Sequence, residues 1–324
     1  MTAASPHIEA TLGRVRATGE DPLRQAEALV EVAMDLQRQP KDPQDLIDAV
    51  FLYDHAVTLA SDVPLARARA ISGKATALRR MPGAGIEHLE AALAGFEESL
   101  PILRSQGEDE EIAEVEMTYG LVLQALAGVG RAQLPLAIQA YHRALRFFDA
   151  ARFPREYAIL HNNLATAYLS MSMMPGKEGV REALAVQSFK EALRSLTIEE
   201  DPVEYAMLQN NLGNALQATR GKHPFEHLSQ AVTAYDEALR VRTPHDTPVE
   251  YANTITNKAN ALMNLPDDVE HPERGNPDNL AAAVGMLTEA AAVFTKNHVH
   301  DRAAVVTELA ESLKAELRSG GGPT

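Results

Sequence analysis

The chain has 324 residues, 45% of them hydrophobic but only 5% aromatic, with no Trp and no Cys. That apolar content suffices for a large core, and the missing cysteines exclude disulfides, thiolate metal sites and a thiol nucleophile. Thirty basic residues against 45 acidic give a net charge of −15, spread as −7 over residues 1–162 and −8 over the rest. Neither half carries a basic face that would release counterions from DNA or RNA, so no nucleic-acid partner is expected.

The first seven residues, Met1-Thr2-Ala3-Ala4-Ser5-Pro6-His7, have neither the basic nor the apolar region of a signal peptide. Residues 1–20 are read as an N-terminal segment, 21–318 as one repeat domain, and 319–324, rich in Gly, as a disordered tail. The longest apolar stretch, Ala281 to Phe294, is interrupted by Thr288 and Glu289. It falls short of the ~20 residues that span a bilayer. A cytoplasmic protein with no membrane partner is expected.

One pattern recurs along the chain: Ala, a large residue four on, and a small residue three further. It reads Ala49/Tyr53/Ala56, Ala92/Phe96/Ser99, Ala137/Tyr141/Ala144, Ala185/Phe189/Ala192, Ala231/Tyr235/Ala238 and Ala283/Leu287/Ala290. Successive copies start 43, 45, 48, 46 and 52 residues apart. Steps of four and three place all three residues on one helical face, where small residues admit a close neighbour and the large one fills the gap. A second helix precedes each copy. In the later ones it begins Pro154-Arg155-Glu156-Tyr157-Ala158, Pro202-Val203-Glu204-Tyr205-Ala206 and Pro248-Val249-Glu250-Tyr251-Ala252. Proline suits the first helical position, where its missing N–H has no partner to lose. Thr247 with Glu250, and Asp201 with Glu204, have the spacing of capping boxes.

The predicted elements are therefore six helical hairpins at about 21–60, 64–103, 108–150, 154–197, 202–242 and 248–297, with a last helix over 300–318. Hairpin one is the least regular, its first helix lacking a clear small-residue marker. Breakers mark the loops inside hairpins: Met81-Pro82-Gly83, Gly128-Val129-Gly130, Pro175-Gly176, Gly221-Lys222-His223-Pro224 and Pro266 to Asp278. No run alternates with the period of a strand.

With Asn163-Leu164-Ala165 and Asn211-Leu212-Gly213 ahead of the Ala/aromatic/Ala helix, the chain resembles tetratricopeptide (TPR) proteins, in a long-repeat bacterial form, and is also similar to kinesin light chain repeats. It departs in carrying Tyr where such repeats often have Trp, and in about ten extra residues over the usual ~34. The resemblance implies an all-α fold: a right-handed superhelical solenoid of about six antiparallel hairpins closed by a C-terminal capping helix. It also implies a concave groove, lined by first helices, that holds a peptide or a partner protein.

The residues of that groove stand out. Asn253, Asn257, Asn260 and Asn264 form a stripe at steps of four, three and four; Asn210, Asn211 and Asn214 occupy hairpin five, and Asn163, Thr166 and Ser170 hairpin four. Asn inside a helix costs roughly 0.5–0.7 kcal/mol relative to Ala, so a stripe of four calls for a compensating role. An amide both donates and accepts, which suits an extended peptide backbone. The resemblance implies that Asn163, Asn211 and Asn257, each two residues before the small residue, contact the ligand backbone. Amides bridging adjacent repeats, or a solvated polar face, are the alternatives. At the corresponding places hairpin two offers Arg67, Ile71, Lys74 and Leu78, and hairpin three Glu114, Thr118, Leu121 and Ala125.

Other groupings have weaker patterns. His223 and His227 flank the helix start at Pro224, His298 and His300 alternate in a turn, and both read as surface residues rather than zinc ligands. The acids Asp267, Asp268, Glu270, Glu273 and Asp278 crowd one loop without EF-hand spacing. Met171, Met173 and Met174 close a helix. No nucleophile elbow, zinc-protease motif, dinucleotide fingerprint or P-loop occurs, so no catalytic residue, cofactor or metal is expected. The expected function is a non-catalytic scaffold for a partner protein or peptide, as an adaptor or an assembly and maturation factor. The alternative is a permanent structural subunit of a larger complex, such as a metalloenzyme.

Overall fold

The computed structural model describes residues 5–83, 85–172, 179–219 and 223–319. All regular structure among them is helical, and the chain divides into two compact units, Met1–Asp149 and Ala150–Thr324. Unit one holds α1 (Pro6–Ala17), α2 (Pro22–Arg38), α3 (Pro43–Leu59), α4 (Pro64–Arg80), α5 (Ile86–Gln106), α6 (Asp109–Gly128) and α7 (Leu134–Ala144). Unit two holds α8 (Pro154–Leu169), α9 (Val180–Ser195), α10 (Pro202–Ala218), α11 (Pro224–Leu239), α12 (Pro248–Leu262), α13 (Pro277–Lys296) and α14 (His300–Ser319). A short 3-10 turn, Pro272–Arg274, lies between α12 and α13.

Proline opens nine of these helices, setting φ for the first turn without losing a hydrogen bond. The side chains of Asp21 and Asp42 cap α2 and α3, and Glu108 with Glu111 forms a capping box on α6. The two boxes expected at Asp201 and Thr247 do not form. The Asp201 carboxylate is drawn to Arg155 at 3.0 Å, and the Thr247 hydroxyl accepts the Thr243 N–H instead.

Each unit contains three hairpins, the architecture that the tetratricopeptide resemblance implies: α2/α3, α4/α5 and α6/α7, then α8/α9, α10/α11 and α12/α13. Every residue of the six Ala/large/small triplets is at most 1% exposed. The large residue faces the first helix of its own hairpin, where the twelfth residue is always small: Ala33, Ala75, Gly120, Ala165, Gly213 and Ala259. Ala33, buried at this place, is thus the small-residue marker of hairpin one. A Cβ on Gly213 would stand 2.5 Å from Cε1 of Tyr235, and one on Gly120 2.5 Å from Cε1 of Tyr141. Only glycine lets those rings lie so close to the helix backbone. In unit two, α14 closes the last hairpin through Ala303, Val306, Ala310 and Leu313. In unit one, the N-terminal segment contributes α1, whose Ile8 and Leu12 bury in the α2/α3 core.

Candidate functional site

Counting from the first residue of each first helix brings equivalent positions into line. The tenth residue is Asn163, Asn211 and Asn257 in unit two, and Glu31, Gly73 and Thr118 in unit one. The hairpin-three residues Glu114, Thr118, Leu121 and Ala125 keep their expected places. Hairpin two is shifted by two: the equivalent residues are Arg69, Gly73, Thr76 and Arg80. Ile71 and Leu78 are buried, while Arg67 pairs with Glu98 and Lys74 with Asp54. That stripe serves the core and its edges.

The amides of unit two join first helix to first helix. Asn211 Nδ2 donates to Asn162 Oδ1 at 3.4 Å, and Asn257 Nδ2 donates to Asn210 Oδ1 at 3.2 Å. The tenth residue of one helix therefore bonds the ninth of the helix before it. Asn253 Oδ1 accepts from Arg302 on α14. Both amide rungs are longer than the usual ~2.9–3.0 Å. Each occupies one of the two Nδ2 hydrogens, and the Oδ1 atoms of Asn211 and Asn257 have no partner among the described residues. Asn163 is 9% exposed, and its Nδ2 is buried without a partner among the described residues.

The other expected site residues divide. The side chain of Asn260 makes no bond among the described residues, although its carbonyl accepts from Asn264 Nδ2. Thr166 bonds back to the Asn163 carbonyl. Asn214 is exposed at the edge of its hairpin, where its Oδ1 accepts the Tyr235 hydroxyl at 2.8 Å.

The sequence reading missed three exposed apolar residues beside these amides. Ile159 on α8 and Met207 on α10 are the sixth residues of their helices, and Val203 is 68% exposed. Ile159 lies between Arg155 and Asn162, and Met207 between Glu204 and Asn211. Arg155 bonds Glu204 at 3.2 Å, so each apolar residue sits between two cross-links joining the same two helices. The first-helix face of unit two thus combines an apolar pair with amide rungs. A signal was present in the sixth-residue series Ile159, Met207 and Asn253, but it emerges only once the helix starts are known.

Tyrosines hold this face to the second helices. Tyr157, Tyr205 and Tyr251 donate to Glu191, Glu237 and Glu289 at 3.5, 3.0 and 2.8 Å. Burial, then the bond to Glu289, pushes the Tyr251 hydroxyl up to about 12.

Two carboxylates of the acidic loop, Asp267 and Asp268, serve the loop's own structure. Asp267 accepts the Asp278 and Asn279 N–H groups at the start of α13, and Asp268 pairs with His271 and Arg274. Among the described residues no cluster of three or more His, Asp or Glu is placed to hold a metal ion. No helix among them is long and apolar enough to cross a membrane. Met173, Met174, Pro175-Gly176, Gly221-Lys222 and tail residues 320–324 lie outside the described residues.

No family model matches the chain, and no curated protein matches it in sequence. Among solved structures, it is similar to a Rap protein complexed with Competence and Sporulation Factor, at 14% identity over 96% of this chain and 80% of that one, with a TM-score of 0.47. It is also similar to the TPR2AB domain of yeast Sti1 in its pHSP90 complex, at 16% identity over 90% of this chain and 99% of that one, with a TM-score of 0.30.

Proposed function

We propose that the protein is a non-catalytic scaffold, a cytoplasmic adaptor or assembly factor, and that the first-helix face of unit two holds an extended segment of a partner protein. The observation that carries this reading is the half-used amide. Asn211 and Asn257 are each oriented by one bond to the preceding helix, and each keeps a carbonyl and a second N–H for a peptide backbone. An oriented side chain has less freedom to lose when it binds. Ile159, Met207 and Val203 supply the apolar contact beside them, and Asn163, Asn253 and Asn260 extend the row.

The test is the double variant Asn211→Ala/Asn257→Ala, compared with the wild type after affinity capture from the native host has identified a partner. Each replacement removes a bridging bond worth about 0.5–1.5 kcal/mol and regains about 0.5–0.7 kcal/mol of helix propensity. The melting temperature is therefore expected to change little. Partner affinity is expected to fall by about 1–3 kcal/mol, because desolvated backbone groups of the ligand lose their partners. A destabilised protein with unaltered affinity would assign the amides to repeat bridging and end the proposal.

A further inference from the structure

Unit one has a cleft on its own first helices, and its chemistry differs from that of the amide face. One lobe, about 370 Å³, lies between α2 and α4; the other, about 330 Å³, extends to α6. They share Val30, Met34 and Arg69. Val30, Met34, Gly73 and Val115 make an apolar floor. At Gly73, where the tenth position of this helix carries no side chain, the ring of Tyr53 occupies the place a Cβ would take and joins the lining.

The walls are acidic. Glu27, Glu31 and Asp35 succeed one another at steps of four on α2, and Glu111 and Glu114 stand on α6. Two basic residues stand against these five acids: Arg69, which holds both oxygens of Glu111 at 2.8 and 3.0 Å, and Arg38, three residues beyond Asp35 at the end of α2. Glu27 pairs with Arg24 at an exposed site. Glu31 and Asp35 have no ion-pair partner among the described residues. Like charges four apart on one helix repel and weaken it, so this row is not explained by the stability of α2. The two unpaired carboxylates, Glu31 and Asp35, above an apolar floor are complementary to one kind of chain.

We propose that this cleft docks an amphipathic partner segment whose apolar side chains enter over Met34 and Gly73 and whose Lys or Arg residues meet Glu31 and Asp35. The site lies wholly within unit one and does not depend on the amide face of unit two.

The test uses the full chain and a fluorescent synthetic peptide with Leu at helical spacing and Lys between, alongside a twin with Glu for every Lys. Fluorescence anisotropy at low salt is expected to show the Lys peptide binding at least about tenfold more tightly than the Glu twin. Glu31→Gln/Asp35→Asn is expected to weaken the Lys peptide by about threefold to tenfold while leaving the melting temperature unchanged or raised. Met34→Gln, which alters no charge at a residue already 39% exposed, is expected to weaken it severalfold. The control Glu199→Gln/Glu200→Gln makes the same charge change at exposed residues of unit two and should leave binding unaltered. Three results would overturn the proposal: no preference for the Lys peptide, a control that weakens binding as much as Glu31→Gln/Asp35→Asn, or no response to Met34→Gln. The last two would show attraction to the overall negative charge rather than docking in the cleft.

Discussion

Hairpin four closes over Phe189 and hairpin five over Tyr235, at the same helical position, and the difference extends to two further residues. Opposite Tyr235 the small residue is Gly213, and four residues later Gln217 Oε1, at 3.0 Å, shares the hydroxyl proton with Asn214 Oδ1 at 2.8 Å. Opposite Phe189 the corresponding residues are Ala165 and Leu169. The same association runs through the chain. Tyr53 donates to Gln37 and Tyr141 to Gln124, at 3.2 and 2.7 Å. Phe96, Phe189 and Leu287 instead face hairpins with Arg79, Leu169 and Met263 at that place. Hairpins one, three and five therefore carry a buried phenol with a glutamine acceptor, and two, four and six carry neither. The physical reason is that a buried hydroxyl without a partner is costly, so Tyr and Gln occur together. Tyr141 and Tyr235 are each matched by a glycine in the first helix; Tyr53 faces Ala33 but has Gly73 against its ring.

The largest way to break this comparison is to charge the phenols. Burial raises the hydroxyls of Tyr53, Tyr141 and Tyr235 far above the ordinary value near 10. The fold thus favours their protonated form. Its stability is fully present below about pH 10 and is lost as the pH rises above that toward the folded-state values. Ultraviolet titration of the chain should show these tyrosines ionising only as the helical signal collapses. Smooth ionisation near pH 10 with the fold intact would remove the buried-phenol account.

Next in size is the glycine. Gly213→Leu is expected to cost about 3 kcal/mol by forcing Tyr235 out of its place. The reverse exchange in hairpin four, Ala165→Gly, should cost only about 1 kcal/mol, mainly through helix propensity. Urea unfolding of both variants checks the contrast; equal costs would show that the two crossings are equally tight.

The smallest effects compare the aromatic residues themselves. Phe189→Tyr places a hydroxyl where Leu169 offers no acceptor and should cost about 1–3 kcal/mol. Tyr235→Phe removes a satisfied bond and should cost about 0.5–1.5 kcal/mol. A stabilised Phe189→Tyr protein would mean that hairpin four has an acceptor elsewhere, and the alternation would lose its physical basis.

Much of the helical organisation was legible because the triplets mark the second helices and Pro-x-Glu-Tyr-Ala marks the later first helices. The helix-start rules were less exact. Thr247 and Asp201 have capping-box spacing, yet their side chains are claimed by Thr243 and Arg155, which no local pattern reveals. Spacing alone places the face of hairpin two two residues out of register, because Arg67, Ile71, Lys74 and Leu78 form an equally good helical stripe. Only the start of α4 at Pro64 shows that its face is Arg69, Gly73 and Thr76. The asparagines could be located but not partnered. Asn210 and Asn211 are neighbours in sequence, yet one bonds forward to Asn257 and the other back to Asn162.

By itself the sequence determined the helices, their pairing into hairpins and the residues that fill each one, because these depend on periodicity within a helix and on short connections. The tertiary structure decided what joins one hairpin to the next. The rungs Asn162–Asn211 and Asn210–Asn257 link residues 49 and 47 apart, and the cleft over Gly73 is lined from four separate helices. Such contacts depend on the rotation and offset between packed helices, which the length of each loop and the size of each crossing residue set jointly.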